Sequence, residues 1–344
     1  MKSHYVAFFL ITTNILAIRE TKENITIGIM GDVMLGRTVN EKIGQTSYEY
    51  PWGDFRVVLA KNDINLANLE CTLTSSTCMV PKVFNFRARP DRVHSLKAGS
   101  VTVVSLANNH IFDYCSAGLT ETINTLDLNN ILHTGAGKTT AQAQQPAIIT
   151  KKGLIVGIIG ATDNEPGWQA GSKKAGTNFF YPKKPSYLIQ QILQLRPLVD
   201  VLIVSLHWGP NFVEKPSRLF QDLAHRMVEA GADIIHGHSA HIIQPIEFYK
   251  DKLILYDTGD FIDDYAVDQV KRNDETCLFL VTIGKRGIET VRIVPGMIQN
   301  MQVNRAKNKD SARIIDKINR ISREFGTTII HTHGQYFVKK FEMA

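Results

Sequence analysis

Short apolar runs separated by amphipathic stretches set the pattern of this chain. The runs are almost continuously hydrophobic, which is typical of strands buried on both faces of a parallel sheet. They predict strands over 25–30, 64–67, 101–106, 199–206 and 232–235. Apolar residues at helical spacing predict helices over 90–98, 118–129, 185–195 and 217–230. Strands that alternate with helices indicate an α/β protein with right-handed crossovers.

Closely spaced apolar runs joined by short turns predict antiparallel pairs as well. These pairs are 147–150 with 154–159, 244–249 with 253–256, and 277–283 with 289–294. Residues 81–87 alternate like a further strand, and residues 163–184 read as a long surface loop. A basic helix over 311–325 is expected to close the fold.

One main domain accounts for most of the 344 residues. We assign it to 24–300 and expect 301–344 to add a helix and a tail that pack on the same domain. Residues 1–23 are set aside as a signal-like or disordered segment, because an apolar stretch follows Lys2 but lacks a good cleavage triplet. On this pattern a cytoplasmic location is favoured slightly over export or membrane association.

The four cysteines show neither metal nor redox spacing. We therefore expect reduced, partly buried thiols. In an exported chain, Cys71 and Cys78 could instead close a small loop.

Polar groups follow several of the predicted buried strands directly. They are Asp32, Asn68 with Glu70, Asn108-Asn109-His110, His207, and the histidines of 236–241. Since the carboxyl ends of parallel strands meet at one edge of a sheet, these groups are expected to converge there. A single histidine in such a place often only caps a strand, but five strand ends with oxygen and nitrogen ligands are hard to explain by packing alone.

Mixed carboxylate, amide and imidazole donors suit Mn²⁺, Fe or Zn²⁺, as one or two ions, better than a thiolate or all-oxygen site. A divalent metal of this kind favours metal-assisted hydrolysis. The sequence contains neither a serine or cysteine nucleophile with a positioned base nor a phosphate-loop motif. Asp113 lies three residues after His110 and could orient that ring.

The charge balance of 39 basic and 33 acidic residues, +6 overall, is dispersed along the chain. It favours phosphorylated or polyanionic ligands weakly, and no basic patch argues for nucleic acid. Arg37, Lys82, Asn85 and Arg87 are candidate contacts for an anionic substrate. Each could equally be a solvated surface side chain.

Six motifs in one order resemble the CapA family, whose founding members serve bacterial poly-γ-glutamate capsule synthesis and export. The resemblance covers about residues 25–295 and rests on Gly31-Asp32-Val-Met-Leu-Gly-Arg37, Asn68-Leu-Glu70, Ala107-Asn-Asn-His110 with Asp113, His207-Trp-Gly209 with Pro216, Gly237-His-Ser-Ala-His241, and Tyr256-Asp-Thr-Gly-Asp-Phe261. The family in turn resembles calcineurin-like metallophosphoesterases. That implies a four-layer α/β/β/α sandwich with a two-metal site.

The resemblance also implies roles for individual residues. The metal ligands would be Asp32, Glu70, Asn109, His207, His238 and His241. His110 would contact the scissile phosphate. Two departures stand against a full two-metal site: Met34 replaces a ligand histidine, and the last pair reads His-Ser-Ala-His rather than His-X-His.

Two functions follow as hypotheses. The first is a metal-dependent hydrolase acting on a phosphorylated small substrate or an anionic polymer of the cell envelope, with envelope-synthesis partners. The second is a non-catalytic polymer-binding or export accessory on the same fold.

Overall fold

Residues 22–340 are described by the structure, a computed structural model. The predicted segment 1–23 therefore lies outside the described residues except for its last two. The strands are β1 Ile25–Val33, β2 Ile64–Leu69, β3 Thr72–Leu73, β4 Arg87–Ala88, β5 Val103–Ser105, β6 Leu132–Thr134, β7 Ala136–Gly137, β8 Ala147–Lys151, β9 Leu154–Thr162, β10 Gly176–Thr177, β11 Val201–His207, β12 Ile234–His238, β13 Ile246–Tyr249, β14 Lys252–Leu255, β15 Asp260–Ile262, β16 Glu275–Gly284, β17 Gly287–Gln299, β18 Gln302–Arg305, β19 Thr327–Thr332 and β20 Gln335–Lys340.

Helices lie between many of these strands. The α-helices are α1 Arg37–Gln45, α2 Arg56–Leu59, α3 Val93–Ala98, α4 Cys115–Leu128, α5 Thr140–Ala143, α6 Ser186–Leu195, α7 Arg218–Glu229 and α8 Asn308–Ser322. In the described part of the chain, none of them is long and apolar enough to cross a membrane.

Two large sheets form the body of the fold. A ten-stranded sheet has the order β19-β20-β17-β16-β1-β2-β5-β6, with β15 beside β1 and β18 beside β17. A six-stranded sheet has the order β13-β14-β12-β11-β9-β8. Strands β1, β2, β5 and β6 run parallel, as do β9, β11, β12 and β14. The predicted α/β class, with parallel strands and antiparallel flanks, is confirmed.

Alternation along each buried strand sends successive side chains into two different cores. In β11, Val201 and Ile203 enter the core shared by both sheets, whereas Leu202 and Val204 enter the outer core under α6 and α7. The opposite face of the ten-stranded sheet packs against α1, α3 and α4. Strands buried on both faces must be hydrophobic throughout, which explains the continuous apolar runs.

The structure departs from the sequence-based expectations in three places. Residues 81–87, predicted as a strand, form one only at Arg87–Ala88, because the Asn85 side chain and the Phe86 amide donate to Asp113 instead. The C-terminal helix is followed by the hairpin β19–β20, which was not predicted. Cys78 and Cys115 form a disulfide, so the expectation of reduced thiols is wrong for this pair.

That disulfide joins the loop after β3 to the first residue of α4, and the alternative Cys71–Cys78 pairing is wrong too. Cys71 and Cys277 are buried and free, as expected. The cytoplasmic location that the sequence favours slightly stays a prediction.

A candidate metal centre at the strand ends

The carboxyl ends of β1, β2, β11 and β12 meet the first residue of β15 at one edge of the two sheets. Asp32 at the end of β1 pairs in register with Asn68 of β2 and Asp260 of β15. In the other sheet, His207 of β11 lies opposite His238 of β12. All five side chains are buried, with exposures of 1% or less. Parallel pairing therefore brings together residues that are far apart in sequence.

Two groups of possible ligands share Asp32. The first, which we call the imidazole group, is Asp32, His207 and His238; the second, the carboxylate group, is Asp32, Glu70, His241 and Asp260. Within each group one ligand atom from every residue lies within 4.8 Å of the others. Five of the six predicted metal ligands are thus adjacent.

The carboxylate group contains oxygen atoms that lack a partner. Asp32 Oδ2, Glu70 Oε1 and Asp260 Oδ2 are buried and have no hydrogen-bond partner among residues 22–340. His241 Nδ1 lies 2.9 Å from Asp260 Oδ1 and 3.7 Å from Asp32 Oδ2. Buried oxygens of this kind are costly unless a proton or a cation compensates them. The donor set therefore fits a divalent cation that accepts mixed oxygen and nitrogen ligands.

The carboxyl pKa values reflect the same crowding. Burial raises the pKa of Asp32 well above its usual range, and the neighbouring Asp260 raises it further. Burial followed by the charge of Asp32 does the same to Glu70. Burial and mutual repulsion therefore favour the protonated form of these carboxyls, whereas a bound cation would favour the ionised form.

Hydrogen bonds behind His238 determine which of its nitrogens faces the imidazole group. His236 Nε2 lies 2.8 Å from the Met30 carbonyl oxygen, which can only accept, so Nε2 carries the proton. Burial lowers the pKa of His236 to about 4, so its neutral Nδ1 accepts from the Ser205 hydroxyl at 3.0 Å. The Ser205 oxygen then accepts from His238 Nε2–H at 3.0 Å. His238 Nδ1 is left as a lone pair, 2.9 Å from Nδ1 of His207.

His110 lies beside the metal centre and is held from two sides. Its Nδ1 lies 2.6 Å from Asp113 Oδ2, and its ring stacks on Phe86 at a centroid distance of 3.7 Å. Burial lowers the pKa of His110 to about 4, although Asp113 opposes that effect. At neutral pH the ring is uncharged, with the proton on Nδ1 and Nε2 as an acceptor.

The two asparagines before His110 have different environments. Asn108 donates to Asn68 Oδ1 at 3.0 Å and to the Leu69 carbonyl at 2.8 Å, so it braces the strand ends. Asn109, the predicted ligand, has a buried Oδ1 without a partner among the described residues. Its role as a ligand stays a prediction.

A cavity of about 1030 Å³ opens beside these residues. We call it the aromatic pocket, and it is lined by Arg37, Pro81, Lys82, Val83, Phe84, Phe86, Asn109, His110, Asn211, Phe212, His241, Tyr265 and Ala266. Since His241 belongs to both, the pocket and the carboxylate group are continuous.

The four predicted substrate contacts do not share one cleft. Arg37 and Lys82 line the aromatic pocket, whereas Asn85 and Arg87 line a neighbouring cavity that meets it at Arg37. Asn85 donates to the backbone oxygens of Val80 and Asp113. The alternation over 81–87 failed to predict this split because the segment is a loop there, without the two faces of a strand.

Two residues of the centre were missed. Asp260 completes the carboxylate group, although the acidic run 257–264 after a predicted strand was the signal for it. Tyr265 donates from its hydroxyl to Glu70 Oε2 at 3.1 Å, and nothing in the sequence pattern marked it. Met34, by contrast, is fully buried in the core that contacts α1, α3 and α4. It supplies no metal ligand at the position where the family resemblance implies a histidine.

Glycines permit the close approach of the strand ends. A Cβ on Gly31 would lie 1.7 Å from the Gly259 carbonyl oxygen, and one on Gly237 would lie 1.9 Å from that of Tyr256. Gly237 is therefore needed for backbone packing.

The fold and site together define an α/β protein with a buried aspartate, glutamate and histidine centre that can hold a divalent cation. Residues 26–265 match the family model described as bacterial capsule synthesis protein PGA_cap. The chain belongs to this family, the CapA family of capsule synthesis proteins.

Two relatives with similar sequences agree with that assignment. The chain is 33% identical over 320 residues to a "Probable polyglutamine synthesis accessory protein" of Mycobacterium tuberculosis, covering 87% of this chain and 84% of the relative. It is 28% identical over 310 residues to the capsule biosynthesis protein CapA of Bacillus anthracis, covering 88% and 73%. Among solved structures, it is similar to the 5′-nucleotidase of Candida albicans at 11% identity and a TM-score of 0.42, covering 91% and 60%.

Proposed function

We propose that this chain is a metal-dependent hydrolase that acts on a phosphoester in the synthesis of a capsule, polyglutamate or another cell-envelope polymer. One observation carries the proposal: three buried carboxylate oxygens, on Asp32, Glu70 and Asp260, have no hydrogen-bond partner among residues 22–340 and lie beside a pocket that also contains His110. Membership of the CapA family supports the polymer context. Envelope-synthesis proteins are the proposed partners.

The two-sheet architecture is proposed to be the four-layer α/β/β/α sandwich of metallophosphoesterases. The core between the sheets and the two outer cores under helices support it. Asp260 would take the place of the histidine ligand that Met34 replaces.

The carboxylate group would hold the cation through Asp32, Glu70, Asp260 and His241, and His207 with His238 would hold a second one. A divalent cation there supplies charge neutralisation and polarisation of a phosphoryl oxygen. In the reaction, a water oxygen forms a bond to phosphorus, the bond to the leaving oxygen breaks, and that oxygen takes up a proton.

His110 would move the proton in this reaction. Its Nε2 is the free acceptor because Nδ1–H is held by Asp113. Asp113 in turn accepts from Lys82 Nζ at 3.0 Å and from the Phe86 amide at 2.7 Å. The ring is thus fixed in one tautomer, with Nε2 able to take a proton from water and return it to the leaving oxygen.

The experiment compares metal content and hydrolysis of an aryl phosphate after reconstitution with Mn²⁺ or Zn²⁺. We expect His110→Ala to keep its metal and to lose turnover at least about a hundredfold. His133→Ala is the matched control, since His133 forms a similar pair with Asp127 at 3.1 Å on a surface away from the centre. It should behave as wild type.

An accessory that binds polymer without turnover is the second candidate, supported by the name of the mycobacterial relative. It would be preferred if the metal-loaded wild type bound polyglutamate but hydrolysed no phosphoester.

A further inference from the structure

We propose that the aromatic pocket takes an anionic ester whose leaving group is large, flat and apolar, such as an arylmethyl phosphomonoester. This inference rests on the proposed function for the reaction itself. It adds the chemical class of the group that leaves.

The position of the pocket determines which end of a ligand carries the negative charge. His241 lines the pocket and belongs to the carboxylate group, and Tyr265 lines it while donating to Glu70. A ligand in the pocket therefore places its anionic end at the metal centre. The rest of the molecule must occupy the outer part of the cavity.

The cations of the pocket are already neutralised by carboxylates. Arg37 lies 3.3 Å from Asp264, and Lys82 lies 3.0 Å from Asp113, both of which are almost fully buried. A second anionic group on the ligand would find no unpaired cation among the described lining residues. A chain with a carboxylate on every unit is therefore a poor fit for this pocket, since desolvated anions need a partner.

Apolar side chains form the outer wall and remain exposed to solvent. Phe84 is 59% exposed, Val83 is 89% exposed and Phe212 is 38% exposed. An exposed apolar surface around a cavity is typical of a ligand-binding site. Covering it with an apolar leaving group would remove that surface from water, which is favourable.

The geometry favours a flat group over a flexible chain. Three aromatic rings surround the Arg37 guanidinium. Their centroids lie 5.6 Å (Phe84), 5.4 Å (Phe86) and 5.9 Å (Tyr265) from it. An aromatic ring stacks on such planes with a gain beyond area burial alone.

The test compares two alkyl phosphates with similar leaving oxygens, 2-naphthylmethyl phosphate and methyl phosphate, on the metal-loaded enzyme. We expect the naphthylmethyl ester to have the higher kcat/KM. In Phe84→Ala the ratio of the two kcat/KM values should fall about tenfold, since one buried aromatic contact accounts for about that factor. Leu128→Ala is the control, because Leu128 is 83% exposed at the end of α4 and does not line the pocket. Its ratio should equal that of wild type.

Binding of 2-naphthylmethylphosphonate, followed by naphthyl fluorescence, separates this inference from the proposed reaction. If no ester is hydrolysed but the phosphonate binds and Phe84→Ala weakens it about tenfold, the hydrolase proposal fails and the pocket inference holds. Three results would each overturn the inference: equal kcat/KM values for the two esters in wild type, an unchanged ratio of these values in Phe84→Ala, or no binding of the phosphonate. So would polyglutamate that displaces the phosphonate more effectively than naphthylmethyl phosphate does.

Discussion

The imidazole group and the carboxylate group share Asp32 but satisfy their polar atoms differently. In the imidazole group, Asp32 Oδ1 accepts from Asn68 at 2.7 Å, and the facing nitrogens of His207 and His238 can share one proton. The carboxylate group lacks a comparable set of hydrogen bonds among the described residues. Three of its oxygens have no hydrogen-bond partner in the described part of the chain.

This difference shows which group needs a cation. The imidazole group can remain closed as a neutral hydrogen-bonded pair, so a metal there is optional for the fold. Carboxylates held together in a dry site must take up protons or bind a cation. We therefore infer that the carboxylate group binds the first ion and that the imidazole group responds to it through Asp32.

The largest expected effect is a pH dependence of stability in the metal-free protein. Burial raises the pKa values of Asp32, Glu70 and Asp260 well above their usual range, so these carboxyls hold protons in the fold at pH values where they are ionised in the unfolded chain. The unfolded state then binds fewer protons, and the free energy of unfolding falls as pH rises. The buried histidines, whose pKa values are lowered, affect stability only below about pH 6.5.

Thermal unfolding at several pH values measures this effect. The Tm of chelated protein should fall between pH 7 and 8.5, and the Tm increase on adding Mn²⁺ or Zn²⁺ should grow over the same range. The metal-loaded protein is its own control and should change little. A metal-free Tm that stays constant would mean that the carboxylate group is compensated in some other way.

Much of this centre could be predicted from the sequence because its residues end strands of parallel sheets. Asp32, Glu70, His207, His238 and His241 each follow or end an apolar run, and that edge is shared by all the strands concerned. The pattern does not depend on loop conformation. It can therefore be recognised without knowledge of the tertiary structure.

The parts that could not be predicted depend on how loops return to the centre. Asp260 reaches Asp32 because Gly259 adopts a positive φ of 69° and β15 runs parallel to β1. The sequence alone could not single out Asp260, since residues 257–264 contain four acids in similar positions. The Cys78–Cys115 pair spans 37 residues and forms only when the loop after β3 folds over α4. The predicted anion contacts of residues 81–87 are likewise divided between two cavities, because this segment forms a loop and not a strand.

The second expected effect concerns Asp32, which links the two groups. Asp32→Asn keeps the size of the side chain and its hydrogen bond from Asn68 but removes the shared charge. Metal affinity should drop by more than about a hundredfold, since even a residue behind a ligand is worth roughly 10- to 100-fold. Chelator competition with Zn²⁺ measures it. Asp163→Asn is the matched control, because Asp163 is partly buried, accepts from the Gly209 amide at 3.2 Å and belongs to neither group. Equal affinity in wild type and Asp32→Asn would show that the groups are independent.

The smallest expected effect tests the hydrogen bonds behind the imidazole group. In Ser205→Ala the hydroxyl between His236 and His238 is lost, so His238 can place its proton on Nδ1 and present no lone pair to a metal. We expect metal affinity to fall about tenfold, the lower part of the range for a residue that orients a ligand. Ser105→Ala is the matched control, since Ser105 is equally buried in β5 but its hydroxyl has no partner among residues 22–340. The decisive measurement is the ¹⁵N chemical shift of the His238 ring in metal-free protein, which reports the tautomer directly. Wild type and Ser105→Ala should carry the proton on Nε2, and Ser205→Ala should show the Nδ1-protonated form as well. If all three proteins share one tautomer and one metal affinity, Ser205 only fills space, and the imidazole group is oriented by packing instead.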